Sequence, residues 1–337
     1  MSTHLTHLPF TLRKSDARLA RHQPRPLPFW AYGPHGVHLS EVPVRAGGRR
    51  PSFILIGAAK SGTTSLHRYL DEHPEISMCP YKEPHFFSTD VIYERGIAWY
   101  EGLFADCGEA KEYGESSTSY TFGPLAAEAP KRIHQHVPDA KLVYIVREPV
   151  ARMHSDVVQG LKYAQHALGG AELPESVEEM LFAYPSILHA SRYIEQIERY
   201  LEVFPREQLL VVLQEDLIRE PAATLARIFS FLGVDASHRV DTSARDNVTA
   251  DYVRGRQDER IATLARRYLP AYDLVRTLVP DSVKQTVKSV LRRGVSKDTV
   301  IEPLSEQQRA ELYEDFRSYN RRLAEFVGRD LSHWDRH

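Results

Sequence analysis

Cysteine is almost missing from this 337-residue chain, with Cys79 and Cys107 as its whole supply. Two thiols cannot staple a disulfide framework, and so low a content suits a reducing compartment. Nor does any apolar run approach the ~20 residues needed to span a bilayer, and the first residues lack the compact hydrophobic core of a secretion signal. These absences predict a cytoplasmic chain with no transmembrane segment. A surplus of one charge is lacking too, since 43 basic and 45 acidic residues leave a net charge of -2. The surface therefore offers no general attraction to nucleic acid or anionic lipid, and any basic patch must be local. Internal repeats and long low-complexity tracts are also absent.

What remains is ample length to bury one large α/β core with additions. Residues 1–50 carry His, Arg and Pro clusters with little periodicity and predict an N-terminal arm, in which Phe29, Trp30 and Tyr32 are the candidates for packing on the core or a second subunit. Residues 51–337 follow as one domain, with a mostly helical C-terminal region over 256–337. Within it, the apolar runs Phe53–Ile56, Lys141–Val146 and Leu209–Leu213 read as buried strands. They alternate with helical spacing at Thr63–Glu72, from Pro149 onward and at Tyr193–Phe204, and an extended piece ends near Cys79. This alternation predicts the α/β class: a P-loop-like three-layer fold with a central, mainly parallel sheet flanked by helices.

Ser52-Phe-Ile-Leu-Ile-Gly57-Ala-Ala-Lys60-Ser-Gly62-Thr63-Thr64-Ser65-Leu66 carries the clearest chemistry. A strand that breaks into a glycine loop and then a helix presents the unpaired N–H groups of the first turn to an anion, with the helix dipole in support. Threonine hydroxyls add donors and Lys60 a mobile charge. The order differs from G-x-x-x-x-G-K-[ST], because Lys60 precedes Gly62, so an ordinary ATPase or GTPase loop is a poor match. The plain alternative is a glycine-rich turn with a solvated lysine. A second strand, Lys141–Val146, runs into Arg147-Glu-Pro149-Val-Ala-Arg152-Met-His-Ser155. It ends in a cation where a magnesium-binding aspartate would be expected. Arginine suits a phosphate monoester through paired, planar hydrogen bonds. The alternatives are an ion pair from Arg147 to Glu148 or Asp156, and a solvent-facing Ser155.

Taken together, these segments resemble the PAPS-dependent sulfotransferases, in particular the heparan sulfate (glycan) branch and its bacterial relatives. Gly57-Ala-Ala-Lys60-Ser61-Gly62-Thr63-Thr64 is similar to that family's loop for the 5′-phosphosulfate. Lys82-Glu83-Pro84-His85-Phe86-Phe87 is similar to its E-x-H-F-F segment, while Gly96 to Tyr100 and Gly114 to Tyr120 resemble G-x-x-W-Y and E-x-x-x-x-Y. Arg147-x-Pro149-x-x-Arg152-x-x-Ser155 resembles the 3′-phosphate motif. The resemblance implies 3′-phosphoadenosine 5′-phosphosulfate (PAPS) as co-substrate, adenosine 3′,5′-bisphosphate as product and no required metal. It places Lys60, Ser61, Gly62, Thr63, Thr64 and Ser65 around the 5′ end and Arg147 and Ser155 on the 3′-phosphate. Lys60 would stabilise charge on the leaving phosphate, and Glu83 or His85 would take the acceptor's proton, Glu83 being favoured by its position in the family. The acceptor would be a hydroxyl or amine of a carbohydrate or small natural product. Outside the resemblance, Glu83 could simply pair with Lys82, and His85 could be a hydrogen-bonded core histidine. The competing enzyme class is a P-loop kinase of a small metabolite using ATP and magnesium.

Four further expectations concern the rest of the chain. Gly169 to Pro174 reads as a loop over the acceptor side, and Glu215 with Asp216 as structural strand-end carboxylates. Arg254 is a candidate for the nucleotide phosphate within a basic stretch from Arg245 to Arg256. Residues 258–293 form an amphipathic helical pattern suited to core packing, a hydrophobic partner or peripheral membrane contact. Ser305 to Trp334 contains a helix with Leu312, Tyr313, Phe316, Tyr319 and Leu323 in register.

Overall fold

The computed structural model describes residues 47–167, 176–242 and 304–335. The chain divides into two compact units, Met1–Ala244 with Glu302–His337, and Arg245–Ile301. All described residues belong to the first. The arm over 1–46, the Gly169–Pro174 loop, Arg254 and the 258–293 segment lie outside the described residues.

Five strands form one sheet: β1 (Phe53–Gly57), β2 (Ile76–Met78), β3 (Glu112–Ser116), β4 (Lys141–Val146) and β5 (Leu209–Leu213). Their order is β2-β3-β1-β4-β5, and every neighbouring pair is parallel. Period-two alternation sends the apolar residues of β1 and β4 to opposite faces. Phe53, Leu55, Val143 and Ile145 join Leu66 and Leu70 of α1 (Thr63–Asp71) and Ile228 and Phe229 of α10 (Pro221–Leu232) on one side. Ile54, Ile56, Leu142, Tyr144 and Val146 join Tyr193 and Ile197 of α8 (Tyr193–Leu201) and Leu323 of the last helix on the other. Both faces are covered, so the central strands are continuous apolar runs, as in a three-layer α/β protein.

Between these elements lie short helices: α2 (Asp90–Tyr93), α3 (Ile97–Gly102), α4 (Ala129–His136), α6 (Val177–Ala183), α7 (Ser186–His189) and α9 (Gln214–Arg219). The long helix α5 spans Pro149–Ala167. The last helix, α11 (Glu306–Val327), opens with a capping box between Ser305 and Gln308 and closes on Gly328 at φ 65°. Glu215 accepts hydrogen bonds from Trp334 Nε1 at 3.0 Å and lies 2.8 Å from His333 Nε2, while Arg329 pairs with Asp216 at 3.0 Å. These two carboxylates are structural, as expected, but they tie the chain's last segment to the edge of the sheet.

The strand that composition hides is β3, reading Glu-Tyr-Gly-Glu-Ser. Its centre is Gly114, where an added Cβ would lie 2.3 Å from Phe53 Cζ and 2.4 Å from Met78 Sδ. The missing side chain is what lets β3 insert between β1 and β2 with Phe53 packed across it. With β3 in place, the loops after β1, β3 and β4 all emerge at the carboxyl edge of one parallel sheet, the edge where open α/β sheets bind ligands.

Candidate active site

The loop after β1 turns through Lys60 at φ 66° and Gly62 at φ 94°, and Gly62 caps α1. No side chain hydrogen-bonds the cap and the first turn holds no acidic residue, so the amides of Thr63, Thr64 and Ser65 face no built-in anion. Arg147, at the end of β4, donates from Nη1 to the Lys60 carbonyl at 3.3 Å. The two strand ends therefore meet, as the motif pairing requires. Among the described residues Arg147 has no carboxylate within ion-pair distance. Glu148 instead accepts the Val150 and Ala151 amides at 2.7 and 2.6 Å and caps α5.

Helix α5 packs its first turns on the same loop. Arg152 is fully buried and donates to the Ala59 carbonyl at 3.3 Å, to Ser191 Oγ at 2.6 Å and to Asp156 at 3.1 Å. The Lys60 ammonium hydrogen-bonds the Gln159 side-chain oxygen. Arg152, Asp156 and Gln159 thus share one helix face, and Ser155, half-buried, follows Arg152 at the spacing of that face. Burial pushes the Lys60 ammonium below its ordinary value; Asp156 opposes this, and the charges of Arg147, Arg152 and Lys82 add to it.

The second half of the site is the turn carrying Glu83 and His85. The Glu83 carboxylate accepts from Lys82 Nζ at 2.7 Å and from the Thr118 amide at 2.7 Å. His85 Nδ1 lies 2.7 Å from Ser119 Oγ, and its ring is 1% exposed. The ion pair and the core histidine expected as plain alternatives are both present. Burial alone would raise the Glu83 carboxyl, but Lys82, His85 and the hydrogen bonds from Lys82 and Thr118 outweigh it and hold the group below the usual carboxylate range. A carboxylate keeps further acceptor positions after these bonds, so an acceptor proton is not shut out. Both residues are left-handed, with φ 60° at Glu83 and 54° at His85.

Sequence reasoning left out what holds this turn. The Ser116 carbonyl accepts the Glu83 amide at 2.8 Å, Ser117 Oγ accepts the His85 amide at 3.0 Å, and Thr118 and Ser119 take the two side chains. Tyr100 and Tyr120 both donate to Glu115 Oε2 at 3.0 Å. The G-x-x-W-Y and E-x-x-x-x-Y segments therefore converge on one buried acid. Gln159 and Asp156 were missed as well, although their spacing from Arg152 places all three on one helix face.

An anion cradle at the carboxyl edge of a parallel sheet, backed by a strand-end arginine and no strand-end aspartate, defines a P-loop-like α/β protein that grips phosphate with its own cations. Residues 50–322 match the family model described as "Sulfotransferase domain", and the chain belongs to that sulfotransferase family. It is 33% identical over 232 residues to mouse heparan sulfate glucosamine 3-O-sulfotransferase 6, covering 64% of this chain and 63% of the relative. It is also 33% identical over 186 residues to human heparan sulfate glucosamine 3-O-sulfotransferase 3B1, covering 55% of this chain and 46% of the relative. The chain thus spans less than two thirds of the length of these relatives. The crystal structure of a sulfotransferase from Alicyclobacillus acidocaldarius superimposes with a TM-score of 0.57 at 26% identity, covering 86% of this chain and 100% of the other. Among the described residues no helix is long and apolar enough to cross a membrane.

Proposed function

We propose that this chain transfers the sulfuryl group of PAPS to a hydroxyl or amine of a carbohydrate or small natural-product acceptor, releasing adenosine 3′,5′-bisphosphate. The observation that carries the reading is where backbone strain sits. Among the described residues three that are not glycine have positive φ, and they are Lys60, Glu83 and His85. Each such conformation costs about 1–3 kcal/mol and persists only where surrounding contacts enforce it, which is typical of functional positions. Those are the three residues to which the resemblance gives chemistry.

In this reading the amides of Thr63, Thr64 and Ser65, with Ser61 and Gly62, hold the 5′-phosphosulfate, and Arg147 with Ser155 holds the 3′-phosphate. The sulfur–oxygen bond to the 5′-phosphate breaks as a bond from sulfur to the acceptor oxygen or nitrogen forms. Lys60, already released from part of its proton affinity, stabilises charge on the departing phosphate oxygen. The acceptor's proton passes to Glu83, with His85 placed beside that carboxylate at 3.8 Å. A glycan acceptor is supported by the named specificity of the heparan sulfate relatives.

Calorimetric titration tests the reading without an acceptor. Adenosine 3′,5′-bisphosphate should bind tightly in the presence of a chelator, and Arg147→Ala should lose about 2 kcal/mol, roughly 30-fold in Kd. Equal or better binding of ATP with magnesium, or indifference to the substitution, would refute it.

A further inference from the structure

Glu115 is the second-last residue of β3, and its side chain is fully buried. Packing does not ask for an acid there, and burying one is costly unless its charge or its proton is put to use. Two tyrosine hydroxyls reach its Oε2, and the Ser117 hydroxyl also stabilises the carboxylate. Two of those hydroxyls have a second task. Ser117 Oγ accepts the His85 amide at 3.0 Å, and the Tyr120 hydroxyl accepts the Phe87 amide at 3.4 Å. A hydroxyl has one proton to give, so donating it to Glu115 turns the oxygen lone pairs toward those amides. Glu115 thereby orients the two acceptors that pin the backbone of the left-handed Glu83 to Phe87 turn.

Charge adds a second link. The titratable groups facing Glu115 are Glu83 on the turn, Tyr100 on α3, Tyr120 after β3, Cys79 after β2 and Tyr200 on α8. Glu83 is the charged one among them at neutral pH. We propose that Glu115 is a positioning residue for the transfer described above, fixing the turn through Ser117 and Tyr120 and strengthening Glu83 as a base whenever Glu115 itself ionises. The inference rests on that functional reading for its consequence, but the linkage from Glu115 to the turn is measurable without turnover. Burial, with a smaller contribution from Glu83, pushes the Glu115 carboxyl up to about 7, so the switch falls within the working range of pH.

The test follows the backbone amide of His85 by NMR in protein labelled with 15N-histidine, the peak being assigned by its loss in His85→Gln. In the parent protein that peak should shift with an inflection near 7; in Glu115→Gln it should not, and in Ser117→Ala the shift should shrink. The same set of proteins is assayed for release of adenosine 3′,5′-bisphosphate from PAPS with water as acceptor. The parent rate should rise about tenfold across that inflection, and Glu115→Gln should be flat and about 10- to 100-fold slower, with nucleotide Kd within twofold of the parent. An amide peak that titrates alike in the parent and in Glu115→Gln overturns the inference. If Glu115→Gln does not fold, Ser117→Ala decides: an unchanged amide shift in it overturns the inference equally. Failure of the parent to bind adenosine 3′,5′-bisphosphate condemns the functional reading instead, and leaves the NMR comparison to decide the Glu115 linkage.

Discussion

Replacing Arg152 by methionine keeps most of the side-chain volume and removes one charge from a place water does not reach. Arg152 is fully buried and Asp156 is 3% exposed, 3.1 Å away on the next turn of α5. Breaking a buried pair from one side leaves the other charge without a partner, which costs about 3–5 kcal/mol. The Ala59 and Ile187 carbonyls and the Ser191 hydroxyl lose a donor as well, so the upper part of that range is expected. Replacing both members with apolar residues, Arg152→Met with Asp156→Leu, removes the stranded charge and should recover most of the loss. Urea unfolding followed by circular dichroism measures both differences, provided the slopes match. A cost below about 1 kcal/mol for Arg152→Met, or a double variant as unstable as the single one, would refute the argument. The substitution also reaches the donor loop: it takes away a charge that depresses the Lys60 ammonium and leaves Asp156 free to attract it. Lys60 should therefore regain proton affinity in Arg152→Met.

Stability should also depend on pH through Glu115. Its carboxyl is held at about 7 in the fold against an ordinary 4.5, so the protonated acid's contribution is complete below 4.5 and is lost as pH rises through 7. Between pH 5 and pH 8 the parent should lose about 2–3 kcal/mol relative to Glu115→Gln, read from thermal unfolding at both pH values; parallel curves would exclude the linkage. Gly114→Ala should cost about 1–3 kcal/mol or more, because the new methyl group collides with Phe53 and Met78 inside the sheet. Unchanged unfolding by urea would show that β3 does not insert as closely as described.

The strands β1, β4 and β5 were legible because strands covered on both faces need apolar side chains at every position, and such runs stand out in any sequence. Lys60 and Arg147 were legible for a related reason. Each sits where an apolar run ends, and the chemistry of a helix start or a strand end follows from the backbone alone. β3 was not legible. Its burial rests on a glycine that makes room for Phe53 and on two glutamates, Glu112 and Glu115, whose partners lie far away in the chain. Pattern reading weighs hydrophobicity, and this strand is central by virtue of what it leaves out.

The turn from Glu83 to Phe87 shows a different limit. Its residue types came from a resemblance, and by composition Ser116-Ser-Thr-Ser119 reads as a solvated loop. The same four residues become an array of donors and acceptors only because β3 ends beside the turn, 31 to 35 positions away in the chain. Short polar residues are what that geometry demands. A longer side chain at Ser117 would fill the space through which its oxygen reaches the His85 amide, and an apolar one would leave that buried N–H unpaired at about 1–3 kcal/mol. The strain at Glu83 and His85 and the polarity of Ser116 to Ser119 are therefore one fact seen from two places: the turn stays left-handed because the segment after β3 accepts its amides, and Glu115 keeps two of those acceptors turned the right way.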